Sequence, residues 1–395
     1  MKRDEIHPPL PCDAVLPCYG EGGLLGLIDR FAAFLDGRPW VAPGSEVPQE
    51  DARVVVFLLI DGLGDNYLQR SGAGSALLAH RRGRLTSVFP STTASAVTTT
   101  MTGLAPARHG LTGWHIRDRR FGGILAPLPL VRRGGDALAA LRLTQRLFPY
   151  RTLYQRRARR SIFVSPRSIA WSRYSLRHAR GARIRGYGGA AEGMGEAVVR
   201  AVRELGPEGG FVHAYYPLFD TLSHEFGSSS DAAHAEFRRI DRVFGELLGR
   251  LAGQGCAIVV SADHGFCDAS DERTVHLDDY PELSGMLECP LFGERRAAFC
   301  AVRRAREAEF EAAAREAFAG KAVVARSPDL VAAGLFGTGP FSSRLAERTG
   351  SHVLLMEPGW TVVDRVAGET PHAMIGVHGG LSPDEMWIPL VTGYC

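Results

Sequence analysis

The chain has 395 residues, 45% hydrophobic and 23% charged, the proportions of an ordinary globular protein, which excludes disordered, collagen-like and coiled-coil classes. Its 46 basic and 43 acidic residues leave a net charge of +3, but only Lys2 and Lys321 are lysines, which disfavours chemistry that needs a deprotonatable amine. Asn66 is the only asparagine, and none of the seven cysteines (Cys12, Cys18, Cys256, Cys267, Cys289, Cys300, Cys395) forms a CxxC pair, so zinc ribbons and thioredoxin-like motifs are also excluded.

The opening residues, MKRDEIHPPLPCDAV, combine a charge cluster with prolines and lack an apolar signal-peptide core. No run approaches the roughly 20 apolar residues of a membrane span. With scattered cysteines that fit free thiols, the expected setting is the cytoplasm.

Residues 54–60, VVVFLLI, form a continuous apolar, β-rich run that predicts a strand buried on both faces, as in a parallel sheet; it stops at Asp61-Gly62-Leu63-Gly64. A second strand at 85–89 runs into Pro90 and a hydroxyl-rich stretch, 91–103, suited to a helix start with Gly103 as its terminator. Residues 117–185 then hold 18 arginines against Asp118 and Asp136, about +16, so the rest of the chain is acidic. This segment breaks the strand-helix rhythm and predicts an insertion or cap, either a solvated arginine-rich surface or an electropositive rim for anionic substrates or a polyanion such as nucleic acid.

Further strands are expected at 211–216, ended by Pro217, and at 256–262, ended by Asp263-His264-Gly265. Between them, Phe237, Ile240, Val243, Phe244, Leu247, Leu248 and Leu251 recur at three- and four-residue steps and predict an amphipathic helix. A strand at 297–302 and a surface helix at 303–318 follow. Alternating strands and helices predict an α/β fold, a doubly wound, mostly parallel sheet flanked by helices. The expected division is a catalytic domain from 1–116 and 186–395, with 117–185 as the arginine-rich insertion.

In an open α/β sheet a ligand binds beyond the carboxyl ends of the strands. Those ends carry Asp61, Thr93, and Asp263 with His264. Asp220 and His224 stand one helical turn apart, and His378 lies between Val377 and Gly379. Three aspartates, three histidines and a hydroxyl converging there suit paired transition metals, zinc before manganese or iron.

Residues 89–114, FPSTTASAVTTTMTGLAPARHGLTGW, resemble the nucleophile segment of the type I phosphodiesterase and nucleotide pyrophosphatase family, in the alkaline phosphatase superfamily. Asp61-Gly62, Phe89-Pro90-Ser91-Thr92-Thr93, the continuation from Thr102 to Gly110, the Asp220/His224 pair, Asp263-His264-Gly265 and His378-Gly379 follow the family's motifs in order. The resemblance implies an alkaline phosphatase-like fold and two divalent metals. One would sit on Asp220, His224 and His378, the other on Asp61, Asp263, His264 and the Thr93 oxygen. Thr93 would be the nucleophile, forming a phosphothreonine while cleaving a phosphodiester or phosphoanhydride in a small substrate such as a nucleotide.

Alternatives on this scaffold are a phosphomonoesterase, a phosphonate hydrolase, or a non-catalytic relative that binds polyanions through 117–185. Scarce lysine disfavours phosphonoacetate hydrolases, which use lysines around the substrate carboxylate. Where nucleotide pyrophosphatases of the animal and plant-pathogen type hold a phosphate oxygen with asparagine, this chain has Trp114. Oxyanion stabilisation is then expected from backbone N–H groups near Thr93, from His115, or from an arginine of the basic segment. Trp114 is a candidate to stack on a flat substrate group.

Overall fold

The computed structural model describes residues 8–49, 51–369 and 373–395; Lys2 lies outside them. Seven strands form the central sheet: β1 (Val54–Ile60), β2 (Arg81–Thr86), β3 (Ser161–Pro166), β4 (Arg183–Tyr187), β5 (Gly210–Tyr216), β6 (Cys256–Ser261) and β7 (Trp387–Tyr394). Their spatial order is β2-β7-β6-β1-β5-β3-β4. All neighbours run parallel except β7, which is antiparallel to both β6 and β2. This is the expected doubly wound, mostly parallel architecture. β1, β5 and β6 are buried along their whole length, as their predominantly apolar sequences require of strands covered on both faces.

Five helices position or cover this sheet: α1 (Leu24–Leu35), α2 (Thr93–Thr102), α3 (Ala191–Leu205), α4 (Leu218–Phe226) and α5 (Asp231–Arg250). α5 is the predicted amphipathic helix. It begins earlier than the apolar periodicity alone shows, because Ser230 caps it by accepting from the Ala233 N–H. Phe237, Ile240, Val243, Phe244 and Leu247 join the main core, with Leu248 partly buried against it.

Two expectations need correction. The arginine-rich segment is not an insertion over its whole length, since β3 and β4 extend the main sheet beside β5. Only the part before β3 lies outside, including a three-stranded antiparallel sheet of Ile116–Asp118, Gly123–Ala126 and Val131–Arg132. The second correction concerns 297–318. Ala297–Cys300 belongs to a separate four-stranded antiparallel sheet with Phe292–Gly293, His352–Met356 and Ala322–Arg326, backed by the helix Glu307–Ala317.

Part of the charge imbalance of 117–185 is answered by ion pairs with the rest of the chain. Arg117 and Arg119 pair with Glu288, Arg133 with Asp364 and Glu369, Arg157 with Asp36, and Arg183 and Arg185 with Glu204. The acidic remainder of the chain thus supplies counter-charges to the basic segment.

Candidate metal centre

β6, β1 and β5 are adjacent, and Ile60 pairs with Tyr216 and Leu59 with Ser261, so the three strands end side by side. The next residues are Asp61 after β1, Ala262-Asp263-His264 after β6, and Pro217 leading into α4 with Asp220 and His224 after β5. This register is what turns three separate sequence motifs into one cluster. Gly62, at φ +76°, lets the chain leave β1, and a Cβ there would stand 2.3 Å from the Phe266 ring. Its N–H donates to Asp263 Oδ1 at 3.0 Å, as does the His264 N–H at 3.0 Å.

Thr93 reaches the same place from the far edge. β2 hands over to residues 87–92, where the Ser87 N–H donates to Met386 O at 2.7 Å and the Ser87 hydroxyl donates to Asp263 O. Thr93 is the first residue of α2, and Gly103, at φ +66°, ends that helix as predicted.

The ligand candidates form two adjoining sets. In the first, His224 Nε2 lies 3.4 Å from Asp220 Oδ1 and 3.2 Å from His378 Nε2, and His378 Nε2 lies 3.9 Å from Asp220 Oδ1. In the second, His264 Nε2 lies 3.3 Å from Asp61 Oδ1, 3.5 Å from Asp263 Oδ2 and 3.2 Å from Thr93 Oγ1, with Thr93 Oγ1 3.5 Å from Asp61 Oδ1. His264 Nε2 is also 3.9 Å from Asp220 Oδ1, so the sets adjoin. Two ligands each about 2.1 Å from a tetrahedral ion stand about 3.4 Å apart, which is the spacing found here.

The remaining ring nitrogens are fixed by carbonyls, His224 Nδ1 by Gly376 O at 2.8 Å, His264 Nδ1 by Gly265 O at 3.0 Å and His378 Nδ1 by Ser91 O at 3.2 Å. Orienting a ligand imidazole through its other nitrogen is the usual arrangement around a metal. Buried Asp220 Oδ1 and Asp263 Oδ2 accept no hydrogen bond among the described residues. Orphaned carboxylate oxygens in a buried cluster are costly unless a cation answers them, so these residues fit a divalent metal pair.

The acidities agree. Burial pushes the Asp61 carboxyl up to about 6, with contacts from Asp263, Tyr215 and Thr93 pulling it back. Burial, then the charge of Asp61, raises Asp263 well above the carboxylate range, and burial with the charges of Asp61 and Asp263 does the same to Asp220. Burial and the neighbouring His264 and His224 hold His378 far below its ordinary value, in the neutral form that binds metal.

The hydroxyls next to Thr93 in sequence point elsewhere. Ser91 donates to Gly380 O at 2.7 Å, Thr92 to Glu294 Oε1 at 2.5 Å and Ser95 to Leu111 O at 2.9 Å. The hydroxyl-rich stretch was expected to suit a helix start, but these three hydroxyls pin the surrounding loops, and no side chain caps α2.

Trp114 is 42% exposed, so it is not a core tryptophan. His115 is held in a two-way backbone bridge to Gly293, and burial lowers its ring to about 4 beside Arg133, Glu369 and Arg295. No hydrogen bond joins that ring to Thr93 among the described residues.

Sequence reasoning missed two contributors. Tyr215, on β5, donates its hydroxyl to Asp61 Oδ2. Glu294, on the turn between Phe292–Gly293 and Ala297–Cys300, accepts from the Thr92 hydroxyl and, at 2.5 Å, from the Trp114 N–H. Burial raises Glu294 to about 7 against those donors. Neither residue lies in a motif, and only the strand pairing and the second sheet bring them in.

The family model described as type I phosphodiesterase / nucleotide pyrophosphatase matches residues 55–125 and 180–381, which include every candidate ligand. The chain belongs to this family. It is accordingly a hydrolase of the alkaline phosphatase superfamily. The matched stretches leave out 126–179, the heart of the basic segment.

Among solved structures, murine ectonucleotide pyrophosphatase / phosphodiesterase 5 superposes with a TM-score of 0.62 at 16% identity, over 86% of this chain and 87% of its own. An inactive threonine-to-alanine form of that protein, in complex with AMP, matches equally well. Phosphonoacetate hydrolase from Sinorhizobium meliloti 1021, in complex with phosphonoacetate, has a TM-score of 0.62 at 18% identity, over 89% of this chain and 92% of its own. A search of curated protein sequences finds no match. No helix among the described residues is long and apolar enough to cross a membrane.

Proposed function

We propose that this protein is a hydrolase of phosphodiester or phosphoanhydride bonds, dependent on two divalent metals and acting through a covalent phosphothreonine on Thr93. The carrying observation is the position of the Thr93 hydroxyl, 3.2 Å from His264 Nε2 and 3.5 Å from Asp61 Oδ1 at the first residue of α2, while its neighbours are engaged elsewhere.

Asp220, His224 and His378 would hold one ion, and Asp61, Asp263, His264 and Thr93 Oγ1 the other. Bound there, divalent metals supply Lewis acidity, lowering the hydroxyl's pKa and stabilising the departing oxygen. Zinc suits the mixed oxygen and imidazole donors, which also accept manganese or iron. Thr93 loses its proton and forms an O–P bond as the bond to the leaving oxygen breaks. Water then cleaves the phosphothreonine and regenerates the hydroxyl. The N–H groups of the first turn of α2, which no side chain caps, would donate to the phosphate oxygens in place of the missing asparagine.

The inactive threonine-to-alanine form of the murine relative, bound to AMP, supports both the nucleophile and a nucleotide-sized substrate. A cytoplasmic setting belongs to the same reading, supported by seven cysteines that are all free thiols. Metal analysis together with turnover of bis-p-nitrophenyl phosphate and p-nitrophenyl phosphate tests it. Diester turnover by the metal-loaded protein is expected. The reading fails if neither ester is hydrolysed and Thr93→Ala changes nothing.

A further inference from the structure

Glu294 lies against Trp114, the residue that stands where asparagine-bearing relatives carry their amide donor. The backbone N–H of Trp114, the residue at that sequence position, donates to Glu294 Oε1 at 2.5 Å, and the same oxygen accepts from Thr92, next to the nucleophile. The close fit continues on the far side, where a Cβ on Gly379, next to His378, would stand 2.6 Å from Glu294 Cβ. Its charge acts on both ligand sets, through His264 and through Asp220. Its positive neighbour Arg295 is shared with Glu369. The carboxylate is therefore built into the site by the second sheet.

We propose that Glu294 is a specificity-determining residue that favours phosphorus centres carrying one negative charge, diesters and internal phosphoanhydrides, over dianionic monoesters. This rests on the hydrolase reading above. A fixed negative charge beside the nucleophile repels a dianion twice as strongly as a monoanion. Cations filling the aspartate cluster attract both substrates, and the increment due to Glu294 is added to that attraction. The charge discriminates against the wrong substrate and does not strengthen binding of the right one.

The test compares kcat/KM for bis-p-nitrophenyl phosphate and p-nitrophenyl phosphate at about pH 8.5, where a carboxylate is ionised. Glu294→Gln keeps the acceptor for Thr92 and Trp114 and removes the charge; Glu294→Met removes the charge without adding an amide donor. Both are expected to shift the ratio toward the monoester by about tenfold. Calorimetry is expected to show inorganic phosphate binding about tenfold more tightly to each variant than to the wild type. Glu294→Asp, which keeps the charge, is expected to leave the ratio near the wild-type value. A ratio and a phosphate affinity unchanged in both neutral variants overturn the inference and leave the hydrolase reading standing. A wild-type enzyme inactive on both esters overturns both.

Discussion

His224 Nε2 and His378 Nε2 face each other at 3.2 Å, while the opposite nitrogen of each ring is anchored to a carbonyl. If each Nδ1 donates to its carbonyl, two lone pairs oppose one another, a repulsive contact that a cation between them converts to attraction. Asp220 Oδ1, 3.4 Å from His224, adds a negative charge to the same gap.

Removing metal is therefore expected to destabilise the fold, and the cost is expected to grow with pH. Asp61 is raised to about 6 in the metal-free protein, and Asp220 and Asp263 are raised further by burial and by one another. A carboxyl whose folded pKa is raised binds more protons folded than unfolded, so its stabilising contribution is present at low pH and fades as pH rises through the folded value. Metal binding needs these groups ionised, so the loaded protein moves the other way. Tm of chelated and metal-loaded protein, measured from about pH 4 to 8, is expected to diverge steadily. A gap that stays constant or closes toward high pH would refute this.

Thr93→Ala is expected to cut kcat by about 10³-fold or more while the protein still folds and binds substrate. Thr93→Ser is expected to retain measurable turnover and, after acid quench, a phosphorylated residue visible by mass spectrometry. Because Ser91, Thr92 and Ser95 are hydrogen-bonded away from the metal-ligand cluster, alanine at Ser91 or Ser95 is expected to leave that covalent intermediate in place. Phosphate on any residue other than position 93 would displace Thr93.

Tyr215 bears on the metal rather than on the substrate. Its hydroxyl donates to Asp61 Oδ2, leaving Oδ1 toward His264 and Thr93. Partners of this kind typically tune metal affinity by about 10- to 100-fold. Tyr215→Phe is expected to weaken metal binding in that range in competition with a chromogenic chelator, and kcat is expected to recover at saturating metal. A variant with wild-type metal affinity would assign the hydroxyl to packing alone.

The parallel core was legible because β1 presents an unbroken apolar run ending at Asp61, with β5 and β6 apolar apart from His213 and Ser261, and such runs have few alternatives to a doubly covered strand. The grouping of the candidate ligands has a related reason: those strand ends are adjacent in the sheet, so motifs far apart in sequence share one edge. β3 and β4 were hidden because Ser161–Pro166 and Arg183–Tyr187 are short, lie at or next to the sheet edge among arginines and lack that run, and the acid that pairs with Arg183 and Arg185, Glu204, comes from a separate element, α3. Glu294 and Tyr215 act through contacts with residues 202 and 154 positions away, and no local pattern encodes such a separation.

The loop carrying His378 depends on a buried ion pair. Glu385 accepts from Arg296 Nη2 at 2.9 Å and Nε at 3.1 Å, and from the Gly380 N–H at 2.7 Å, both side chains being almost wholly buried. Arg296 also donates to the carbonyls of Glu357 and Trp360, tying the second sheet to this loop. Removing one partner of a buried pair leaves an uncompensated charge and typically costs about 3–5 kcal/mol. Arg296→Met is expected to fall in that range by urea unfolding and to weaken metal binding at the His378 set, because Gly380 lies two residues from the ligand. The double variant Arg296→Met/Glu385→Leu removes the stranded carboxylate and is expected to recover part of the stability. Metal affinity is expected to stay low, since the double variant takes away the acceptor of the Gly380 N–H. Full recovery of both would show that Glu385 does not position His378.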